Sequence, residues 1–160
     1  IGIVETRLGK FESSNNYFRK DTGFVRKVWV EVQDDKITIG CHFVCDFVLM
    51  HPSVVYSITD MYGNKLFGAN AYNYEYDRPI GNEMSEGEIL CVFNDVKLFK
   101  GQYFLTLWFG EENKEMEYLQ EFLIFETENP VGFNMTKNYK DMLGPIVSIP
   151  KYNFIVTKNK

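Results

Sequence analysis

Cysteine, histidine and tryptophan are scarce in this chain of 160 residues, at three, two and two. Each scarcity removes a class of chemistry. Cys41, Cys45 and Cys91 are too few, and odd in number, to form a disulfide framework. Cys41 and Cys45 fall on one face of one strand about 13 Å apart, too far to be bridged. The thiols are expected to pack as small hydrophobes in a reducing compartment. Only His42 and His51 exist, and no His-Glu-x-x-His pair, so no metal site can be built on the usual spacing. His42 takes the outward phase of a strand and His51 a turn before Pro52, and both read as surface residues. The Gly-x-x-x-x-Gly-Lys phosphate loop, the Gly-x-Ser-x-Gly elbow and the Asp-x-Asp-x-Asp calcium loop are missing as well. Neither a catalytic residue nor a metal or cofactor is expected in this chain.

Basic charge is also in deficit. Seventeen Lys and Arg against 22 Asp and Glu leave a formal charge of −5. That balance excludes nucleic acid as a partner, since binding it needs a clustered basic face. It argues equally against an anionic membrane surface. The longest apolar run, Phe43 to Met50, is broken by Asp46 and is far too short to span a bilayer. Glu5, Arg7 and Lys10 leave no room for a signal peptide at the start. Because the first residue is Ile1, the chain is expected to be a piece of a longer one. Carboxylate pairs such as Glu111-Glu112 or Glu126 with Glu128 could in principle serve a glycosidase. Among 22 acidic residues they read instead as solvated charges.

What is abundant is aromatic: 14 Phe, 10 Tyr and 2 Trp make up 16% of the chain. Large rings suit a pleated, half-buried surface, and a strand core can absorb the Phe. Ten Tyr are harder to bury, because each hydroxyl needs a partner or solvent. Period-two alternation dominates and no helix of three turns stands out. Val28, Val30 and Val32 alternate with Trp29, Glu31 and Gln33. Ile37, Ile39, Cys41, Phe43, Cys45, Phe47 and Leu49 form the inward set of the next strand, after a turn at Asp34-Asp35. Val54, Tyr56 and Ile58 form the next, and Lys65 to Ala69 returns from an Asp-x-x-Gly-Asn turn at Asp60 to Asn64. Residues Tyr72 to Gly87 read as a loop. Strands follow at Glu88 to Asn94, Gln102 to Phe109 and Glu117 to Thr127. Short strands at this spacing without helices between them predict an all-β, two-sheet antiparallel β-sandwich of the jelly-roll or immunoglobulin-like kind. Residues 1–128 form that sandwich. Residues 129–160 form a C-terminal extension, with 146–156 a strand candidate broken by Pro150.

Alternation also sorts the aromatic side chains. On Gln102 to Phe109 the inward set is Tyr103, Leu105, Leu107 and Phe109, which turns Phe104, Thr106 and Trp108 outward. On the valine strand Trp29 is outward. Tyr72, Tyr74 and Tyr76 share one side of an extended loop near Asn70. Flat rings flanked by amides and hydroxyls are what a saccharide requires: the ring covers the apolar face of a pyranose, and the polar groups bond its hydroxyls. Trp29, Trp108, Phe104, Thr106, Asn70, Tyr72, Tyr74 and Tyr76 are therefore the candidate carbohydrate contacts. The alternative is that these rings cover a second sheet, a dimer interface or the C-terminal segment.

Two blocks carry a family resemblance. The run Pro52-x-x-x-Tyr56-x-Ile58-x-Asp60-x-x-Gly63-Asn64-x-x-Phe67-Gly68-x-Asn70 resembles the signature of the C-terminal domain of Wzt-type ATP-binding subunits, which serve ABC transporters exporting bacterial O-antigen polysaccharides. Leu98-x-x-Gly101-x-Tyr103-x-Leu105-x-Leu107, followed by Phe125-Glu126, agrees with it. The blocks cover about Ile37 to Glu126. The resemblance implies a jelly-roll-like sandwich fused behind a nucleotide-binding domain, and cytoplasmic recognition of the finished polysaccharide, often terminally modified, before export through a membrane permease. It also implies a homodimer with C-terminal strands exchanged or packed between protomers, a role that falls here to 146–156. It carries over no ligand-contacting residue, because those are not part of the signature. The function expected is non-catalytic recognition of an O-antigen polysaccharide. The alternatives are an assembly module that dimerises a larger protein and, third, a glycan-processing enzyme.

Overall fold

The computed structural model describes residues 5–6, 9–11, 16–33, 36–70, 84–128, 146–147 and 152–155. These contain strands only. In chain order the strands are β1 (Glu5–Thr6), β2 (Gly9–Phe11), β3 (Tyr17–Arg19), β4 (Val25–Gln33), β5 (Lys36–Leu49), β6 (Pro52–Thr59), β7 (Lys65–Asn70), β8 (Met84–Asn94), β9 (Lys97–Leu98), β10 (Gly101–Glu111), β11 (Lys114–Thr127) and β12 (Ile146–Val147). A six-stranded sheet runs β1-β2-β3-β4-β5-β8 and a four-stranded sheet runs β11-β10-β6-β7, with every described pairing antiparallel. A short third ladder joins β12 to β9, placing Ile146 opposite Leu98. The predicted all-β sandwich is the observed fold.

Alternation explains why the two larger sheets stack. Val28 and Val30 of β4, Ile37, Ile39, Cys41 and Phe43 of β5, Val54, Tyr56 and Ile58 of β6, and Tyr103, Leu105, Leu107 and Phe109 of β10 all lie in the buried core. Three phenylalanine pairs bridge the layers at successive strands. Phe18 of β3 meets Phe122 of β11 edge-on at 4.8 Å, Phe43 of β5 meets Phe109 of β10 at 4.9 Å, and Phe67 of β7 meets Phe93 of β8 edge-on at 5.1 Å. Ring pairs at such separations are worth about 1 kcal/mol each beyond the area they bury. Six of the 14 Phe are thereby accounted for.

Two buried hydroxyls of the core share one carbonyl, whereas the buried Tyr56 Oη has no hydrogen-bond partner among the described residues. Tyr103 Oη donates to the Phe99 carbonyl at 2.8 Å, and Thr127 Oγ1 donates to the same oxygen at 2.7 Å. Burial, with the nearby Asp60 carboxylate, pushes the Tyr103 phenol up to about 12. All three cysteines are free thiols. Burial pushes Cys41 up to about 12 and Cys91 up to about 11, so both stay protonated and act as small apolar side chains.

Two strand boundaries depart from expectation. Phe47, expected to point inward, is exposed, while Leu49 is fully buried. The β5–β8 register breaks between Val44 and Leu49, so Asp46, Phe47 and Val48 leave the ladder and are exposed, and Leu49 resumes the original inward phase. The exposed ring of Phe47 lies edge-on to Phe24. The loop expected over Tyr72 to Gly87 is shorter than that, because β8 already begins at Met84. Its remainder, 72–83, lies outside the described residues, as do Asp34 and Asp35.

The turn at Asp60 to Asn64 forms as its residues dictate. Asp60 Oδ1 accepts from the amides of Tyr62 and Asn64, both at 2.9 Å, and Oδ2 accepts from Asn64 Nδ2 at 3.1 Å. Gly63 sits at φ 83°, a conformation that side-chain-bearing residues resist. Asp60 is buried at 8% exposure, so removing its carboxylate strands those donors. Asp60→Ala is expected to cost about 2 kcal/mol, read as a fall in the urea midpoint, with Asp60→Asn recovering part of it.

Candidate functional site

The outer face of the four-stranded sheet is built by the residues that alternate with the core. Register places them in three rows across the strands. One row is Tyr118 of β11, Trp108 of β10, Val55 of β6 and Asn70 of β7. The next is Thr106, Ser57 and Gly68. The third is Ile124, Phe104, Thr59 and Lys65. The middle row carries a threonine, a serine and a glycine between two rows of larger side chains, which leaves a shallow trough across the sheet. Neighbouring strands are about 4.8 Å apart, so the row from Tyr118 to Asn70 extends about 14 Å.

Each part of the trough has a local cause. Gly68 admits no side chain, because a β-carbon there would stand 2.3 Å from the Tyr56 carbonyl oxygen. Trp108 leans over Gly110, where a β-carbon would fall 2.6 Å from the indole and 2.1 Å from the Lys114 carbonyl oxygen. Tyr118 is 49% exposed beside it. Thr106 Oγ1 accepts from the Glu121 amide at 2.9 Å, at the bulge where the β10–β11 register shifts. That hydroxyl is held by the scaffold and keeps its proton and one lone pair to offer a ligand. At one end Gln102 Nε2 donates to Glu126 Oε1 at 3.0 Å. Ser53 and Thr59, on the outward phase at the two ends of β6, are buried, and among the described residues their hydroxyls have no hydrogen-bond partner. Buried hydroxyls of this kind are rare, and with both oxygens closed off from the surface they are not open to a ligand in the trough.

The outer face of the six-stranded sheet is a separate surface. There register aligns Tyr17 of β3, Trp29 of β4, Gly40 of β5 and Leu90 of β8. The indole of Trp29 lies over Gly40: a β-carbon on that glycine would fall 2.1 Å from ring carbons Cε2 and Cζ2. The next row is Arg19, Lys27, His42 and Glu88. Lys27 Nζ stands 5.6 Å from the Tyr17 ring centroid and 5.3 Å from that of Trp29. His42 Nε2 lies 3.0 Å from Glu86 Oε2. His51 Nε2 is 3.9 Å from Glu112 Oε1, too long for a hydrogen bond. Among the described residues no group of three His, Cys, Asp or Glu could hold a metal ion.

The residues expected from the sequence to form one face are thus divided. Trp108, Phe104, Thr106 and Asn70 share the trough. Trp29 lies on the opposite layer, because β4 and β10 belong to different sheets whose outward sides point apart. Both indoles are half-buried rather than sealed in the interior. Tyr72, Tyr74 and Tyr76 lie outside the described residues. Sequence reasoning missed Tyr118, Val55, Ser57, Gly68 and Ile124 in the trough, and Tyr17, Lys27 and Gly40 beside Trp29. For Gly40 a signal existed: a glycine inside a strand often marks the close approach of another group.

Comparison with known proteins gives one family and one fold. The family described as "Wzt C-terminal domain" matches residues 15–138. A solved structure, "Crystal structure of the C-terminal domain of wzt", superposes with a TM-score of 0.55 at 10% sequence identity, covering 76% of this chain and 87% of that one. No curated protein matches.

Proposed function

The chain belongs to the Wzt C-terminal domain family, and from that premise we propose that it recognises a bacterial O-antigen polysaccharide, without catalysis, for export by an ABC transporter. The observation that carries this reading is the trough on the four-stranded sheet. Trp108 and Tyr118 supply apolar ring faces, Phe104 and Ile124 the opposite wall, and Thr106, Ser57 and Asn70 hydrogen-bonding groups between them. A sugar ring laid along the trough covers an indole with its C–H face and keeps its hydroxyls on the polar groups. Trp29 belongs to this reading only as a second, separate contact. The partners are then a nucleotide-binding domain and a membrane permease, and the place of action is the cytoplasmic side of the inner membrane.

Titration of the chain with the polysaccharide of its source strain tests the reading. Trp108→Ala is expected to lower affinity about 30-fold, since stacking a ring on an aromatic side chain is worth roughly 2 kcal/mol. Full affinity in Trp108→Ala moves the site off this sheet. No binding to that polysaccharide in the unaltered chain removes the function.

A second reading, an assembly module, is favoured by the C-terminal segment. Tyr152, Phe154 and Ile155 are 78%, 88% and 84% exposed, a run of large apolar side chains open to a partner. We place this segment, within 146–156, in the interface of a homodimer, with or without strand exchange. Sedimentation at several concentrations separates the readings. Dimerisation with no saccharide response favours assembly alone.

A further inference from the structure

We propose that the outer face of the six-stranded sheet is a second sugar site, distinct from the trough, and that it takes a pyranose bearing a carboxylate. The inference rests on the saccharide reading above and adds to it a ligand class and a location.

Three observations converge on this face. First, the indole of Trp29 lies flat because Gly40 beneath it has no side chain, and a β-carbon would occupy the ring's own position. A flattened indole on an outer face presents one whole ring face to a ligand, whereas an upright one presents an edge. Second, Lys27 Nζ is held over both Tyr17 and Trp29, so the ammonium stands on the platform itself, beside the ring face left to a sugar, rather than extending into solvent. Third, register sets Arg19 directly beside Lys27, and among the described residues neither cation has a carboxylate partner. In a chain with 22 acidic and 17 basic residues, two adjacent cations left without an acid at the edge of an aromatic platform favour an anion. His42 extends the same row but is engaged by Glu86.

The geometry fits one arrangement. Lys27 is two residues from Trp29 along β4, about 6.8 Å at the backbone. A hexuronate ring stacked on the indole directs its carboxylate toward Lys27 and Arg19, which lie along one side of the platform. On the other side the row of Glu31 and Thr38 meets the ring hydroxyls. A neutral hexose could stack but would leave both cations unused.

With two tryptophans in the chain, Trp108→Phe leaves Trp29 as the sole indole and makes its emission a direct reporter. Titration of that variant with trigalacturonic acid is expected to change Trp29 emission saturably, while maltotriose leaves it unchanged. Lys27→Met, which keeps the apolar stem and removes the charge, is expected to weaken trigalacturonate binding at least tenfold. Gly40→Ala, which displaces the indole, is expected to abolish the emission change while circular dichroism shows the sandwich intact. Silence of Trp29 toward trigalacturonate, an equal response to maltotriose, undiminished affinity in Lys27→Met, or equally tight binding of galactose 6-phosphate would each overturn the assignment. Failure here together with polysaccharide binding that depends on Trp108 leaves the proposed function standing. Failure of the source polysaccharide at both faces removes the function as well.

Discussion

Glu117→Ala is expected to lower the stability of this domain by about 3 kcal/mol, a drop in melting temperature of roughly 6–12 °C for a chain of this size. The cost is large because one carboxylate ties the two sheets together. Glu117 extends from β11, in the four-stranded sheet, to the turn between β3 and β4 in the six-stranded one. Its Oε1 accepts from the amides of Phe24 at 2.9 Å and Val25 at 2.8 Å, and its Oε2 is ion-paired with Lys20 Nζ. Both side chains are only 13% exposed. Removing the carboxylate therefore strands two backbone donors and an ammonium in a place water reaches poorly, and breaking such a pair costs far more than the pair is worth in net stability. Glu117→Gln keeps an acceptor for the amides but not the charge, and is expected to lose about half as much. Urea unfolding of both variants measures this. A loss below about 1 kcal/mol in Glu117→Ala would show that the turn is held by the strands alone.

Phe122→Ala is expected to cost about 4 kcal/mol, the largest effect of a single truncation along this contact. Phe122 is 1% exposed and meets Phe18 edge-on at an interplanar angle of 80°. The alanine variant loses the transfer energy of the ring and the edge-to-face contact, and leaves a cavity between β3 and β11 that strands cannot close without shifting register. Phe122→Leu, nearer in volume, is expected to lose less than half as much. Thermal unfolding with matched calorimetric and van't Hoff enthalpies gives the comparison. Phe122→Ala without a stability loss would mean that the bulge relaxes to fill the space.

That bulge shows where alternation ceases to be a guide. On β11 a strict period of two from Leu119 would turn Glu121 inward and Phe122 outward. The register with β10 shifts between Leu105 and Leu107, so that Leu105 faces Leu123 and Leu107 faces Leu119. The extra residues are taken up by Glu121 at φ 45°, leaving Glu121 exposed and Phe122 buried. A register break likewise accounts for Phe47, which lies in the stretch that leaves the β5–β8 ladder before Leu49 returns to the inward phase. An extra residue in one strand is set by what its neighbour strand needs, and no local run of residues records it.

The sequence by itself determined the strand character of the chain, the inward sets of β4, β6 and β10, the Asp60–Asn64 turn and the family, because each depends on neighbours within a few positions. It also determined that Trp108, Phe104 and Thr106 point away from the core, since side-chain direction in an unbroken strand follows from parity alone. Tertiary structure decided which outward residues share a surface. Trp29 and Trp108 have the same parity argument behind them, yet they stand on opposite layers because their strands were assigned to different sheets. The trough, with Tyr118, Val55 and Gly68 beside Trp108, and the platform, with Tyr17, Lys27 and Gly40 around Trp29, exist only through pairing between strands distant in the chain. Pairing of that kind is fixed by packing of the whole core, so a site that spans several strands is assembled after the fold and cannot be read from any one of them.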